Sequence, residues 1–285
     1  MTEFETILFD LDGTVLTPLN KVPEQLPAYL RTLRERGKRI FAVTGRSLSE
    51  AQEVLPPDFP VEGMVTANGM AVFAGDKKIF QSALDAVLVK QLIKRARALQ
   101  LFYEMHRIRG GRIAFSDDEA YMAAQISGEK PEQVGVNEWL SRQQVMRHTM
   151  IWKKALSEED WAEIVKIYFY SSSVNRMQAW KQELSERRET MPFDFFSSSR
   201  NNVEVNTEGV SKASGIRILL DYFHLSAAST LAFGDGENDL PMFHLAAQAV
   251  AMKNANAAIQ AQADQVTDYT CSENGVYRYL KQLFG

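Results

Sequence analysis

Short apolar segments alternate with amphipathic segments at the start of the chain. The stretches Thr6 to Phe9, RIFAV and GMVT have the β-branched and aromatic content of buried strands. Between the first two, PEQLPAYLRTLRERG places leucines at 26, 30 and 33 with helical spacing, and Gly37 stands where such a helix ends. A second helix is predicted in SLSEAQEVL. The order strand, helix, strand, helix is typical of a parallel sheet with helical crossovers.

The same alternation returns near the end of the chain. Predicted helices and strands follow one another there in the order SKASGIRILLDYFHL, STLAFGDG, NDLPMFHLA, AVAM, ANAAIQAQ, DQVT and GVYRYLKQLF. Both ends therefore fit one doubly wound, Rossmann-like α/β domain.

The middle of the chain has a different pattern. A helix is predicted in DAVLVKQLIKRARAL, a hairpin in LFYEMHRIRGGRIAF with its turn at Gly110-Gly111, and further strands and helices follow up to about Met191. This mixture predicts an inserted α+β domain with a sheet of its own. We predict a discontinuous core of residues 1–82 and 192–285, with residues 83–191 as the insert. The arginines of the hairpin, Arg107, Arg109 and Arg112, are interpreted as a solvated tip.

The first strand ends at two carboxylates, Asp10 and Asp12, followed by Gly13. In open α/β sheets ligands bind at the carboxyl edge of the strands. Two anions this close repel, and a bound cation such as Mg²⁺, which prefers hard oxygen ligands, relieves the repulsion. The alternative is a chance D-x-D that caps a turn.

Three further stretches carry candidate chemistry. Thr44 and Gly45 follow the second strand, where a hydroxyl and turn amides form an anion cradle or an ordinary turn. In GDGEND, Asp235, Asn238 and Asp239 are an acidic cluster for metal coordination or a solvated turn. Lys212 follows the N-cap Ser211 in a first helical turn, where a cation interacts unfavourably with the helix dipole. It is either a lysine that binds an anion such as phosphate or an ordinary exposed lysine.

Composition and charge limit the kinds of partner that the protein is expected to bind. The chain has 285 residues with a net charge of −4, which argues against a nucleic-acid-binding protein. The apolar stretches are too short for a membrane span, and the start lacks the pattern of a signal peptide. A single cysteine suits a reducing compartment, so a cytoplasmic location is expected without a membrane or nucleic-acid partner. The oligomeric state is left open.

Together the motifs DLDGT, VTGR, GVSKA and GDGEND resemble the four motifs of the haloacid dehalogenase (HAD) superfamily. The long insert between the second and third motifs resembles that of the Cof-type phosphatases, which carry a large α/β cap. TANGM, at 66–70, is similar to the segment that these proteins carry just before the cap.

The resemblance implies a role for each motif residue. Asp10 is the nucleophile and Asp12 the general acid/base, while the Asp10 carboxylate, the Asp12 carbonyl and Asp235 hold Mg²⁺. The remaining implied residues bind the substrate phosphate or support the site; the first group is Leu11, Thr44, Gly45, Lys212 and Asn238, and the second is Arg46, Asn68 and Asp239. Since the dehalogenases of the superfamily lack the second aspartate, its presence favours phosphoryl transfer.

The expected function is therefore Mg²⁺-dependent hydrolysis of small phosphorylated metabolites, sugar phosphates among them, through an aspartyl-phosphate. Two alternatives are left open: a hexose-phosphate mutase of the same superfamily, and a non-enzymatic regulator that binds phosphorylated metabolites. The insert is expected to set substrate specificity.

Overall fold

The computed structural model describes residues 4–107 and 111–285, which form fourteen strands and eleven α-helices. The strands are β1 (Thr6–Phe9), β2 (Arg39–Val43), β3 (Gly63–Thr66), β4 (Ala71–Ala74), β5 (Lys77–Gln81), β6 (Phe102–Arg107), β7 (Arg112–Phe115), β8 (Met150–Lys153), β9 (Ile164–Tyr170), β10 (Phe193–Phe196), β11 (Asn202–Thr207), β12 (Thr230–Gly234), β13 (Gln248–Ala251) and β14 (Gln265–Val266). The helices are α1 (Gln25–Glu35), α2 (Leu48–Val54), α3 (Ala86–Ala98), α4 (Glu119–Gln125), α5 (Val136–Gln144), α6 (Glu158–Ala162), α7 (Val174–Arg188), α8 (Lys212–Phe223), α9 (Leu240–Leu245), α10 (Ala257–Gln260) and α11 (Gly275–Phe284).

The chain divides into two compact units. One is discontinuous and comprises Met1–Gln81 and Val210–Gly285; the other, the inserted unit, comprises Ser82–Gly209. The boundary expected after residue 191 is therefore displaced toward the C-terminus. Its cause is pairing: β10 and β11 are antiparallel neighbours, and β11 pairs with β9, so residues 193–207 complete the sheet of the inserted unit.

An eight-stranded sheet forms the centre of the discontinuous unit. Its order is β14-β13-β12-β1-β2-β3-β4-β5, in which the first six strands are parallel and the hairpin β4–β5 is antiparallel. The chain winds outward from β1 to β3, then returns to the other side of β1 and continues outward from β12. This confirms the doubly wound core, and it places the topological switch point, where such sheets bind ligands, between β1 and β12.

Both faces of this sheet are buried, as the continuous apolar strands predict. On β1, Ile7 and Phe9 join one core cluster with Leu30 of α1 and Leu280 of α11. Leu8 points to the opposite face and joins a second cluster with α8 and α9. Strand periodicity thus divides one apolar run between two cores.

A second sheet, of six strands in the order β10-β11-β9-β6-β7-β8, forms the inserted unit. Its apolar face carries Tyr103, Met105 and Phe169, all fully buried, and Phe169 packs edge-on against Trp180 of α7 at 5.1 Å between ring centroids. The expected hairpin is present as the antiparallel pair β6–β7. Its expected turn residue Gly110, and Arg109, lie outside the described residues.

The opposite face of this sheet is buried yet charged. Glu104 is fully buried beside Arg142, with His106 Nε2 at 3.2 Å and Arg112 Nε at 3.4 Å from its Oε2. Burial alone would raise the pKa of Glu104, but Arg142, the His106 hydrogen bond and Arg112 together lower it to about 2. The interpretation of Arg112 as part of a solvated tip is wrong, because this guanidinium is buried and also donates to Thr149 at 2.7 Å.

Gly69 lets the loop after β3 approach the start of α8. Its φ of +103° lies in a region that side chains rarely adopt, and a Cβ there would lie 2.2 Å from the carbonyl oxygen of Ser211. This contact sets the position of the first turn of α8, which begins with Lys212.

Gly69→Ala is expected to lower the free energy of unfolding by about 2–4 kcal/mol, because backbone strain and a steric clash add. Gly75→Ala is the matched control: its φ is also positive, at +54°, but nothing lies within 4 Å of the added Cβ. Its expected cost is about 1 kcal/mol. Urea unfolding of both variants measures the difference, and equal losses would contradict the packing role of Gly69.

Candidate active site

Four loops meet at the carboxyl edge of the parallel strands. Asp10 directly follows β1, Thr44 follows β2, and Asp235 follows β12, while Asn68 lies two residues after β3. These strands are neighbours in the sheet, and the amide of Asp10 bonds the Phe233 carbonyl at 3.0 Å. The parallel order therefore brings the residues of three sequence motifs to one edge.

Lys212, from the motif GVSKA, lies at the centre of this group. Ser211 caps α8 by accepting from the Ser214 amide, so the predicted N-cap is confirmed. The side chain of Lys212 is fully buried, and its Nζ donates to Asp10 Oδ1 at 2.5 Å and to Asp239 Oδ1 at 2.6 Å. Burial lowers the pKa of Lys212, but the two carboxylates outweigh it and raise the pKa overall, so the ammonium stays charged.

Asp239 uses its second oxygen to shape the loop after β12. Its Oδ2 accepts from the amides of Asp235 and Gly236, both at 2.9 Å. Gly234 is packed against the same carboxylate, since a Cβ there would lie 2.5 Å from its Cγ. Asp239 thus holds the loop that presents Asp235.

The carboxylates of Asp10, Asp235 and Asp239 can place one oxygen each within 4.8 Å of one another. Gly13 leaves room beside them, because a Cβ there would lie only 2.1 Å from Asp235 Oδ2. Asp10 and Asp239 are buried and Asp235 is half-buried. Hard carboxylate oxygens in a cluster with more negative than positive charge fit a divalent cation. The set contains Asp10 and Asp235, two of the predicted ligands, and adds Asp239, which was predicted as a supporting residue. The carboxylate of Asp12, whose carbonyl is the third predicted ligand, pairs with Arg46.

Without a cation, crowding disfavours the ionised carboxyls. Burial is the main cause that raises the pKa of Asp10 well above its ordinary value, and neighbouring aspartates add to it against the opposing effect of Lys212. Burial likewise raises the pKa of Asp235 to about 8, with repulsion from Asp239 second. Binding a divalent cation would offset both effects.

Asn68 joins the predicted phosphate-binding loops to each other. It is buried in a left-handed conformation at φ +53°, and its amide bonds the Thr44 carbonyl at 3.0 Å. Its Oδ1 accepts from Asn238 Nδ2 at 3.1 Å.

Leu11 has its side chain in the core, so only its backbone is available for the predicted role in phosphate binding. Gly45 is half-buried in the turn between Thr44 and Arg46.

Sequence reasoning missed two asparagines at this edge. Asn254, three residues after β13, donates from Nδ2 to the Gly13 carbonyl at 2.7 Å and accepts from the Cys271 amide at 2.9 Å. Asn20 accepts from Arg46 Nη2 at 2.9 Å. The position of Asn254 just beyond a parallel strand was the available signal for it.

A family profile for haloacid dehalogenase-like hydrolases matches residues 7–280. The chain belongs to this family. The expected superfamily is thereby confirmed, and with it the hydrolase activity of a phosphatase and the family's general use of a divalent metal.

Known proteins are similar over nearly the full length. A Mycoplasma genitalium relative that carries a phosphatase name is 26% identical over 289 residues, covering 99% of each chain. The 5-amino-6-(5-phospho-D-ribitylamino)uracil phosphatase YcsE of Bacillus subtilis is 22% identical over 98% of this chain and 95% of its own. The solved structure of the HAD subclass IIB sugar phosphatase BT4131 superposes with a TM-score of 0.72 at 22% identity, covering 98% of each chain.

Relatives of the Cof type support the expected subfamily, and an enzyme is favoured over the non-enzymatic regulator. Within residues 4–107 and 111–285, every helix is too short or too polar to cross a membrane.

The raised carboxyl pKa values predict a pH-dependent response to metal. Because the folded-state pKa of Asp235 is about 8 and its ordinary value is 3.8, ionisation costs folded-state stability, so the metal-free protein loses stability as pH rises between these values. A cation that binds these carboxylates must displace their protons. Each proton lowers the apparent affinity for the cation by up to about tenfold for every pH unit below the pKa of its carboxyl group. The rise in Tm on adding Mg²⁺ should therefore be larger at pH 8 than near pH 5.5.

Differential scanning fluorimetry of chelator-treated protein, with and without Mg²⁺, checks this. Asp235→Asn should abolish the response, while Asp58→Asn, which removes an exposed carboxylate of the same unit, should keep it. A metal-induced shift of equal size at both pH values would contradict the account.

Proposed function

We propose that this protein is a Mg²⁺-dependent phosphatase that hydrolyses small phosphorylated metabolites, sugar phosphates among them, through a phosphoryl group carried on Asp10. The observation that carries the proposal is the contact of Lys212 with Asp10 at the β1–β12 switch point, beside the carboxylate of Asp235. A carboxylate held by a lysine and adjoining a divalent-cation site is a nucleophile prepared to meet a phosphate dianion.

Asp10 performs the first step by attacking phosphorus with a carboxylate oxygen. The bond from phosphorus to the ester oxygen breaks, and Asp12 donates a proton to the departing alkoxide. Lys212 neutralises charge on Asp10 and on the phosphoryl oxygens, which would otherwise repel each other. Asp10, Asp235 and the Asp12 carbonyl would hold Mg²⁺, which when bound screens the negative charge that spreads over the equatorial oxygens.

Water completes the cycle in the second step. Asp12, now ionised, takes a proton from the water molecule whose oxygen attacks phosphorus, and the bond to Asp10 breaks. Orthophosphate leaves, and both aspartates return to their starting forms. Thr44, Asn68 and Asn238, linked by hydrogen bonds at one edge of the sheet, are proposed to orient the phosphate.

The inserted unit is proposed to act as the cap that selects the leaving group. Two similar proteins have names with phosphorylated substrates, a phosphoribitylamino-uracil and sugar phosphates, which supports a small polyhydroxylated substrate. The mutase remains the second enzyme candidate because it shares the first chemical step.

A cytoplasmic location is proposed from the single cysteine, Cys271, which is buried and free.

Asp10→Asn is expected to lower kcat by at least about a thousandfold, because an amide of nearly the same shape is a poor nucleophile. Folding should be retained, and the Tm of the metal-free variant should equal or exceed that of the wild type, since a repelled buried carboxylate is removed. Phosphate release from p-nitrophenyl phosphate measures the loss. Asp58→Asn is the control of equal chemistry on an exposed side chain, and activity of Asp10→Asn within about tenfold of the wild type would exclude Asp10 as the nucleophile.

A panel of phosphorylated metabolites with Mg²⁺ should yield free phosphate, with the highest kcat/KM on small polyhydroxylated monoesters. Hexose 1-phosphate separates the two enzyme candidates. Accumulation of free phosphate is expected from hydrolysis, whereas accumulation of the hexose 6-phosphate without free phosphate would establish the mutase instead.

A further inference from the structure

Arg46 forms a bidentate ion pair with the Asp12 carboxylate. Its Nε donates to Asp12 Oδ2 at 2.8 Å and its Nη2 donates to Asp12 Oδ1 at 2.6 Å. The Asp12 side chain is 38% exposed and the Arg46 side chain only 14% exposed. A largely buried guanidinium therefore holds a carboxylate that would otherwise be free to rotate in solvent.

The backbone of Arg46 is itself fixed. Its amide donates to Thr44 Oγ1 at 3.1 Å, and its carbonyl accepts from the Ala67 amide at 2.7 Å. The same turn thus ties Arg46 to the loops that follow β2 and β3.

Asn20 is a second acceptor for the guanidinium of Arg46. It stands in a left-handed turn at φ +56°, and its Oδ1 accepts from the Nη2 that also bonds Asp12. The guanidinium consequently lies between a carboxylate and an amide carbonyl, and its plane is set by both.

The pairing leaves Asp12 able to exchange protons. Two carboxylate oxygens offer about four lone-pair sites, of which Arg46 uses two. The remaining sites can face a leaving oxygen or a water molecule. Proton transfer needs this alignment, since a displacement of about 1 Å costs on the order of a hundredfold in rate.

We propose that Arg46, supported by Asn20, is the positioning residue that aims Asp12 for both proton transfers of the phosphatase cycle. The inference rests on the proposed function, in which Asp12 gives a proton to the leaving alkoxide and later takes one from water. Arg46 forms no bond to the transferred phosphoryl group in this assignment and acts through Asp12.

The test compares two leaving groups with Arg46→Gln. Glycerol phosphate needs a proton donor for its alkoxide, whereas p-nitrophenolate departs without one. kcat/KM covers the steps up to leaving-group departure, so it should fall roughly tenfold to a hundredfold for glycerol phosphate and less than about threefold for p-nitrophenyl phosphate. With p-nitrophenyl phosphate, kcat should fall while kcat/KM holds, because the water step also needs Asp12, and the phosphorylated protein should accumulate in rapidly quenched samples analysed by mass spectrometry.

Three variants complete the design. Arg46→Lys keeps the charge but cannot form the bidentate contact with the Asp12 carboxylate. Its kcat/KM for glycerol phosphate should lie between those of Arg46→Gln and the wild type. Asn20→Gly keeps the left-handed turn accessible while removing the carbonyl, and should give the same pattern at smaller size. Arg31→Gln, which breaks the exposed pair with Asp58, is the control and should match the wild type.

The outcomes separate the alternatives. Equal losses of kcat/KM on both substrates would assign Arg46 to direct phosphate binding or to folding and overturn the inference. Unchanged kinetics in Arg46→Gln and Asn20→Gly would also overturn it while leaving the phosphatase intact. Absence of hydrolysis and of a phosphorylated intermediate in the wild type would instead overturn the proposed function, and this inference with it.

Discussion

Repulsion among carboxylates in a small buried space is the constraint on which the rest of the candidate active site depends. Asp10, Asp235 and Asp239 are close enough to share one cation, and the pKa values of the first two are raised by burial and by their neighbours. One buried lysine lies between Asp10 and Asp239. The cluster is therefore compensated only in part, and the remaining negative charge favours the binding of a divalent cation.

The surrounding backbone follows from this constraint. Three glycines allow close approach: Gly13 and Gly234 face carboxylates, and Gly69 faces the N-cap carbonyl of the lysine helix. Ala67 and Asn68 both have positive φ, at 48° and 53°. Such conformations each cost of order 1–2 kcal/mol for residues with a side chain. This conformation allows Asn68 to form hydrogen bonds with both Thr44 and Asn238, which offset part of the cost.

Much of the discontinuous unit was predictable because its signals are local. Apolar strands that end at Asp10, Thr44 and Asp235 identify the edge, and the motif order identifies the family. The inserted unit was harder to derive. β10 and β11 are short and separated by the polar stretch SSSRN, so their partner β9 is evident only from the pairing. Hydropathy predicts that Glu104 lies at the surface, but it is fully buried. Its burial depends on the nearby side chains of Arg142, Arg112 and His106, which come together only in the folded structure.

Because the unit that carries the candidate active site is discontinuous, its site residues are assembled only late in synthesis. β1 is synthesised before the insert, whereas its neighbour β12 follows only after the whole insert. The two strands pair in register from Thr6 with Thr230 to Phe9 with Phe233. Asp10 and Lys212 are 202 positions apart, and closing a flexible loop of that length costs about 4–5 kcal/mol of chain entropy. An insert that folds first shortens the effective loop and reduces this cost. Asp10, the proposed nucleophile, thus remains without its lysine until the segment after the insert arrives. Until then the proposed chemistry has no complete site, and the β1 edge is open to mispairing or to chaperones.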